Sequence, residues 1–246
     1  MKEQERIHIG TSGWHYGHWK GPFYPENHPN EEFLEFYQCH FHTVEINNSF
    51  YQLPKKETLK MWRNAVPSGF IFSVKGSRYI THMKKLKDPK ESVFAFLKRV
   101  EVLGDKLGPI LFQLPPRWKF NPDRLKSFLE VLPEKFQYAF EFRDTSWFEE
   151  ETLRILEQYG AAFCIYEFAG TLSPKHVTAD FIYIRLHGPK EKAYKGQYET
   201  RVLSGWAGAF SAWTRQKKEI FCYFDNDEAG YAAQDALRLQ TMITKG

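Results

Sequence analysis

Two segments set groups capable of acid–base and anion chemistry at alternate positions. Asp180-Phe-Ile-Tyr-Ile-Arg-Leu-His-Gly188 and Gln137-Tyr-Ala-Phe-Glu-Phe-Arg143 each read as a β-strand. Alternation sends Tyr183, Arg185 and His187 to one face and Ile182, Ile184 and Leu186 to the other. Ala139, Glu141 and Arg143 line up in the same way. Strands buried on both faces are apolar throughout, so charges along one inner face mark a site. There, carboxylates act as general acids or bases once neighbours shift their pKa values. His187 is suited to moving protons near neutral pH. Lys75, Arg143 and Arg185 are suited to holding a phosphate or carboxylate, the arginines bidentately.

Eight strand-like runs carry such groups, near 7–12, 43–49, 70–76, 109–114, 137–143, 161–166, 180–187 and 219–225. Helical signals separate most of them. Asn30 is expected to cap a run with Phe33, Leu34, Tyr37 and Phe41, and Leu59, Trp62 and Val66 mark a helix that stops at Pro67. Asp88-Pro89 and Asn121-Pro122 read as N-caps followed by N1 prolines, with Gly104 closing the first of these helices. Thr145 or Ser146 is expected to cap a helix through Leu153 and Leu156 to Gly160. Trp206, Phe210 and Trp213 mark another, and an Ala-rich helix runs from about Glu228 to Met242. Only the connection around Ser173–Val177 has a weak helical signal. Eight β–α units in 246 residues predict an α/β fold, a single (β/α)8 TIM-type barrel over residues 1–246. No Gly-x-Gly-x-x-Gly fingerprint favours an open doubly wound sheet.

Catalytic groups of such barrels sit at the C-terminal ends of the strands. Strand parity then gives an inner set: Ser12; Glu45 and Asn47; Ser73 and Lys75; Gln113; Glu141 and Arg143; Cys164 and Tyr166; Arg185 and His187; Tyr223, Asp225 and Asp227. Glu141 and His187 are the expected acid–base pair, with Asp225 and Glu45 as further catalytic carboxylates. Lys75, Arg143 and Arg185 would hold an anion, with Asn47, Gln113, Tyr166, Tyr223, Trp14 and Trp147 around it. The competing reading is structural, since opposite charges inside a barrel must pair. Glu141 with Arg185, or Glu45 with Lys75, would then be ion pairs of the scaffold.

No cofactor is expected. A divalent metal on Glu141, His187 and Asp225 is opposed by the neighbouring cations Arg143 and Arg185, and parity turns Glu167 outward. Glutamates ending strands four and seven, as in many barrel glycosidases, are absent. Trp14, Tyr16, Trp19, Phe50, Tyr51, Tyr79, Trp118, Trp147 and Tyr194 lie in strand-following loops, where about half would stack a ligand and half would pack. Gly10-Thr-Ser-Gly13 offers backbone N–H groups to an anion. His187–Gly196, with three lysines, reads as a lid or as a solvated loop.

Composition bounds these readings. The chain is 42% hydrophobic, 26% charged and 17% aromatic, with net charge +4. That charge is too mild to argue nucleic-acid binding alone. Cys39, Cys164 and Cys222 sit in apolar surroundings without metal-ligand spacing and read as buried free thiols. Met1–Arg6 has no signal-peptide character, and no apolar run is long enough to span a membrane, so a cytoplasmic protein is expected. Oligomeric state is left open.

Several blocks also resemble a known family. They are Gly10-Thr-Ser-Gly-Trp14 with Tyr16, Trp19 and Gly21-Pro-Phe-Tyr-Pro25; Val44-Glu-Ile-Asn47 with Ser49-Phe-Tyr51; Gln113-Leu-Pro-Pro116; Glu141-Phe-Arg143 with Ser146-Trp147; Arg185-Leu-His-Gly188; and Tyr223-Phe-Asp-Asn-Asp227. Together they are similar to the domain of unknown function 72 family, the YecE-like proteins, over essentially the whole chain. Asp225 departs from that pattern, where asparagine is expected. The resemblance implies a TIM-type barrel and no established reaction. The residues themselves point to an enzyme acting on a small anionic substrate, such as a sugar phosphate or nucleotide. Nucleic-acid binding or phosphodiester processing is the alternative, and a non-catalytic ligand-binding barrel the third reading.

Overall fold

The computed structural model describes residues 3–245. Met1 and Lys2, part of the segment read for a secretion signal, lie outside the described residues, as does Gly246. Nine strands form one sheet: β1 (Ile7–Thr11), β2 (Thr43–Ile46), β3 (Ile71–Lys75), β4 (Leu107–Gln113), β5 (Tyr138–Glu141), β6 (Ala162–Phe168), β7 (Thr171–Leu172), β8 (Phe181–Leu186) and β9 (Glu219–Phe224). Their order is β1-β9-β8-β6-β5-β4-β3-β2, with the short β7 hairpinned onto β6. A parallel bridge between Ser12 and Glu45 joins the two ends of that order. This is the topology of a (β/α)8 TIM-type barrel, and all eight strand-like runs of the sequence are present in it. No helix among the described residues is long and apolar enough to cross a membrane.

The chain divides into two compact units, and two of the four boundaries, at Glu45/Ile46 and Cys164/Ile165, fall inside strands. The first comprises Met1–Glu45, Ile165–Lys175 and Asp180–Gly246; the second comprises Ile46–Cys164 and His176–Ala179. In the first unit β9 lies between β1 and β8, with Thr11 opposite Phe224 and Arg185 opposite Tyr223. The helices α6 (Thr200–Arg215) and α7 (Tyr231–Lys245) pack against each other, and α7 covers β1. The short α1 (Phe33–Tyr37) belongs here as well. In the second unit β3, β4 and β5 run in parallel, with Gln113 opposite Glu141. Its helices are α2 (Lys56–Ala65), α3 (Pro89–Val100), α4 (Pro122–Leu129) and α5 (Glu150–Gln158).

Aromatic side chains fill the layer between strands and helices. Phe112 meets Phe128 edge-on at 4.9 Å, and Phe142 stacks on Trp147 at 4.9 Å. In the first unit the loop after β1 is fastened to α1 by the stack of Tyr24 on Phe33, 4.0 Å apart and nearly coplanar. The high aromatic content is thus largely packing area.

Helix starts differ from the expectation at three places. Asn121 does cap α4, its side chain accepting from the Arg124 N–H. Asn30 instead opens a 3-10 turn at Asn30–Glu32, and α1 begins only at Phe33. Asp88 holds the N-cap position of α3 in a left-handed conformation (φ 43°) with no side-chain cap bond, although Pro89 does start the helix. Neither Thr145 nor Ser146 caps α5: both lie in a 3-10 turn capped by Asp144, whose carboxylate takes the Ser146 N–H. Gly104 falls past the end of α3, inside the 3-10 segment Glu101–Lys106. At the third of these starts the adjacent Asp144, Thr145 and Ser146 side chains compete for the cap, which makes the start ambiguous in sequence. Cys39 corrects the expectation of three buried thiols: it is exposed just beyond α1, its thiol bonded to the Glu35 carbonyl, while Cys164 and Cys222 are buried.

Close approach fixes Gly10 in β1. A Cβ there would stand 2.2 Å from the Thr43 carbonyl oxygen and 3.0 Å from the Tyr37 hydroxyl. That hydroxyl accepts from the Thr11 N–H at 3.0 Å and donates to the Thr43 carbonyl at 3.1 Å, so it has no room to yield. Gly10→Ala is expected to cost ~1–3 kcal/mol by overpacking, lowering Tm by several degrees for a chain of this size. Gly205→Ala, on the exposed side of α6 with nothing within 4 Å, is expected to raise it slightly. Calorimetry of both variants checks this, and an unchanged Tm in Gly10→Ala would contradict the close approach.

Candidate functional site

The inner face of β8 carries Tyr183, Arg185 and His187, all fully buried. Burying a guanidinium requires acceptors for its five N–H groups. Glu45, at the end of β2, supplies two of them: Arg185 Nη2 donates to Oε1 at 2.8 Å and Nε to Oε2 at 3.0 Å. The remaining capacity of Glu45 is taken by Ser12 Oγ at 2.6 Å and the Tyr183 hydroxyl at 2.7 Å. Arg185 Nη2 also reaches Asp225 Oδ2 at 3.2 Å, and Nη1 lies 3.3 Å from His187 Nε2.

His187 donates from Nδ1 to Asp225 Oδ2 at 2.9 Å. His187 Nε2 faces Arg185 Nη1 across 3.3 Å. Both ring nitrogens are therefore engaged inside the cluster. Phe168 and Tyr194 close over the ring edge-on, each at 5.5 Å. The His187 Nδ1 contact fixes the position of the Asp225 carboxylate. Arg185, the expected anion clamp, is spent on two carboxylates and a histidine.

Asp225 is the member of the cluster that reaches solvent, with 12% of its side chain exposed. Two residues on, Asp227 is 21% exposed and meets a different environment. It accepts from the Trp19 indole N–H and from His18 Nε2 at 3.2 Å. Burial raises its pKa above the ordinary aspartate value, the Trp19 and His18 contacts oppose that, and the charge of Asp225 adds to the rise. Tyr16 lies beside them, its hydroxyl donating to the Ser12 carbonyl at 2.7 Å. Burial first, then the charges of Asp225, Asp227 and Glu45, hold Tyr16 protonated far above the usual tyrosine range. Sequence parity reached Asp227, but Tyr16 and His18 sit on an irregular loop where no periodicity announces them.

The other candidate residues of the first unit also have hydrogen-bond partners there. Tyr223 bonds Thr43 through its hydroxyl at 2.7 Å, the Tyr166 N–H takes Ser173 Oγ at 2.9 Å, and the Trp14 carbonyl accepts from Tyr24 at 2.5 Å. The Gly10–Gly13 backbone does not form an anion nest. Its amides are taken by Tyr37 at Thr11, by the Phe224 carbonyl at Ser12 and by the Glu45 carbonyl at Gly13. In the loop His187–Gly196, Lys195 pairs with Glu228, which also accepts from the Gly196 N–H at 3.2 Å. That loop is tied down rather than offering three unengaged lysines.

In the second unit Glu141 is fully buried and pairs with Arg143, which stands two residues along and on the same face. The Cys164 thiol lies 3.9 Å from Glu141 Oε2. Lys75 Nζ sits 4.4 Å over the Phe50 ring. Asn47 keeps a buried side-chain oxygen without a hydrogen-bond partner. Gln113 is half-buried at the end of β4. Trp147 is fully buried, its indole N–H given to the Trp118 carbonyl at 2.6 Å, so it anchors a loop and shows no face to a ligand. Within the first unit Glu45 pairs with Arg185, and within the second Glu141 pairs with Arg143. Strand parity gives the face of a side chain but not its neighbour. Among the described residues no three His, Cys, Asp or Glu side chains converge as a metal-ligand set.

Comparison with known proteins places these residues in a wider group. Residues 8–246 match the family described as "Protein of unknown function DUF72". The "UPF0759 protein YunF" of Bacillus subtilis (strain 168) is 25% identical over 270 residues, spanning 96% of this chain and 94% of that one. Among solved structures, a DUF72 family protein from Thermotoga maritima MSB8 is 31% identical, covers 97% of this chain and 99% of its own, and superposes with a TM-score of 0.87. Another from Enterococcus faecalis V583, 21% identical, covers 97% of this chain and 95% of its own with a TM-score of 0.81 and shares the fold.

Removing Arg185 should act on stability before it acts on any ligand. Arg185→Met leaves Glu45 and Asp225 buried without their cation and is expected to cost ~3–5 kcal/mol. Adding Glu45→Gln removes one stranded charge and should recover part of that loss. Denaturant titration of the two single variants and the double variant measures the coupling. Strictly additive losses would mean the pair does not act as a unit.

Proposed function

Since the chain belongs to the DUF72 family, whose name states no reaction, we propose a function from the geometry: an enzyme that carries out acid–base chemistry on a small polar substrate with Asp225 and Asp227. One observation carries this reading. Two carboxylates two residues apart sit in opposed environments, which is how a single site separates an acid from a base. Asp225, anchored through Oδ2 by two donors, Arg185 and His187, serves with its carboxylate as the acceptor of a substrate proton. Asp227, with its pKa raised by burial, serves as the proton donor. Both are partly exposed, whereas Glu45, Arg185 and His187 are closed to solvent and act as positioning residues. Glu141, buried against Arg143, is read here as positioning that arginine rather than as the reacting carboxylate.

Arg185 brings no charge to a ligand under this reading, so a polar substrate is held by its hydrogen bonds to the carboxylates. Tyr16, kept as a phenol, lines the same loop. A general acid works only while protonated, so the rate should fall as pH rises through the pKa of Asp227.

The test is turnover of a panel of nitrophenyl phosphates, esters and glycosides and of small sugar phosphates, by the wild type and by Asp225→Asn and Asp227→Asn. Loss of roughly a hundredfold or more in each variant is expected, in keeping with acid–base catalysis, with Tm held within a few degrees. Activity that survives in Asp225→Asn would sink the proposal. A second readout needs no substrate: the Asp227 carboxyl should titrate above an unperturbed aspartate, and Asp225→Asn should lower it by removing a like charge.

A further inference from the structure

Near the start of α7 stands a fully buried carboxylate that the acid–base reading leaves unused, Asp235. Its Oδ2 accepts from the Tyr198 N–H at 2.9 Å and from Asn226 Nδ2 at 2.8 Å. Its Oδ1 accepts from Arg238 Nη1 at 2.8 Å. Arg238 continues to the Tyr198 carbonyl at 2.7 Å and to Thr200 Oγ1 at 2.9 Å. Burial pushes the Asp235 pKa up, and the Tyr198, Asn226 and Arg238 contacts oppose that. A buried ion pair is weak evidence for stability, because well-packed apolar groups often do as well in its place. What distinguishes Asp235 is the two segments it ties together.

One leg runs to the end of β8. The Tyr198 hydroxyl accepts from the Gly188 N–H at 3.0 Å and bonds the Glu167 side chain. The Glu167 carbonyl in turn accepts from the His187 N–H at 3.0 Å. Tyr198 is thus held at its N–H, carbonyl and hydroxyl, and it holds the peptide that follows His187. The His187 ring meets Asp225 at 2.9 Å.

The other leg runs to the end of β9. Asn226, fully buried between Asp225 and Asp227 in the chain, gives one Nδ2 hydrogen to Asp235 and the other to the Gly196 carbonyl at 3.0 Å. Its Oδ1 has no hydrogen-bond partner among the described residues. A buried oxygen left in that state costs ~1–3 kcal/mol. Turning the amide over would set the oxygen against two acceptors, so the orientation is fixed. The amide is held for what its two hydrogens join.

We propose that Asp235 is a positioning residue for the acid–base pair, acting on Asp227 through Asn226 and on Asp225 through Tyr198, Gly188 and His187. The proposal rests on the reading of Asp225 and Asp227 as base and acid. Asp235, Asn226 and Tyr198 are closed to solvent, so they act through these neighbours and not on substrate. A supporting shell of this kind is what holds reacting groups to a fixed geometry.

The test is the titration of the Asp227 carboxyl, followed by carbon NMR, which needs no substrate. Asn226→Ala exchanges one neutral side chain for another, so any change reports position and not charge. It is expected to lower the raised Asp227 pKa by ~0.5 unit or more toward the ordinary aspartate value. Tm should stay within a few degrees, since the unpaired oxygen leaves with the amide. In turnover, the alkaline limb of the pH–rate profile should move to lower pH by the same amount. Asp235→Asn is expected to lower the Asp227 pKa as well and to shift the His187 ring resonance, assigned through His187→Gln. Tyr198→Phe keeps the buried ring and cuts the first leg alone, so it should move the His187 signal and leave Asp227 in place. Gln234→Ala removes a solvent-side tie between the same loop and α7, the 3.1 Å bond from Gln197, and should change neither signal. An Asp227 titration unchanged in Asn226→Ala would overturn the proposal. So would an equal shift in Gln234→Ala, or a His187 signal unmoved by Tyr198→Phe. Failure of the acid–base reading shows separately, as turnover that survives Asp225→Asn.

Discussion

Arg185 holds its charge where water does not reach, and a guanidinium in that position must direct every N–H at an acceptor or unfold the region around it. Four strands of the first unit are bound by that requirement. Glu45 comes from β2, Asp225 from the end of β9, His187 from the residue after β8, and Ser12 from the end of β1. Tyr183 completes the carboxylate shell of Glu45 from the same strand that carries Arg185. Ladder hydrogen bonds set the register of the strands; the guanidinium sets which side chains meet at their ends.

One cluster therefore does two things. It is a scaffold, because Glu45 and Arg185 are closed and fully engaged. It is also a mount, because it presents one group, Asp225, to solvent with its second oxygen anchored. Asp227 beside it is shaped by a different device, the loop after β1, whose Trp19 and His18 both reach it. That loop is itself fixed by aromatic stacking onto α1. The aromatic side chains thus act on the site at one remove, by making an irregular segment rigid enough to place a hydrogen-bond donor. Trp147 does the same for the segment around Trp118 in the second unit.

Much of the fold was legible in the chain because period-2 alternation survives in every strand. The polar face at Glu45, Glu141, Arg185, His187 and Asp225 could be read directly, and all of these are buried on one side of a strand. Partner choice was not legible. Arg185 was as compatible with Glu141 as with Glu45 from parity, since every polar residue of the inner face satisfies the same alternation. Helix starts failed for a related reason. At Asp144-Thr145-Ser146 three cap-forming residues stand in a row and local backbone geometry chooses among them, whereas at Asp88 the backbone is left-handed and no side-chain cap bond forms. The exposed Cys39 was misread because apolar neighbours in sequence point to opposite sides of so short a helix.

The sequence by itself determined the β–α alternation, the number of strands in the barrel, the polar parity of the inner face and the family blocks. These are local properties, carried by spacing along the chain. Only the tertiary structure decided that Arg185 meets Glu45 and Asp225, that His187 bonds Asp225, and that Asp227 meets Trp19 and His18. It also decided that the amides of Thr11, Ser12 and Gly13 are consumed. Each of these depends on which residues, far apart in the chain, come within hydrogen-bond or Coulomb range. A desolvated charge takes its partner from whatever the fold brings near, and no pattern along the chain encodes that neighbour.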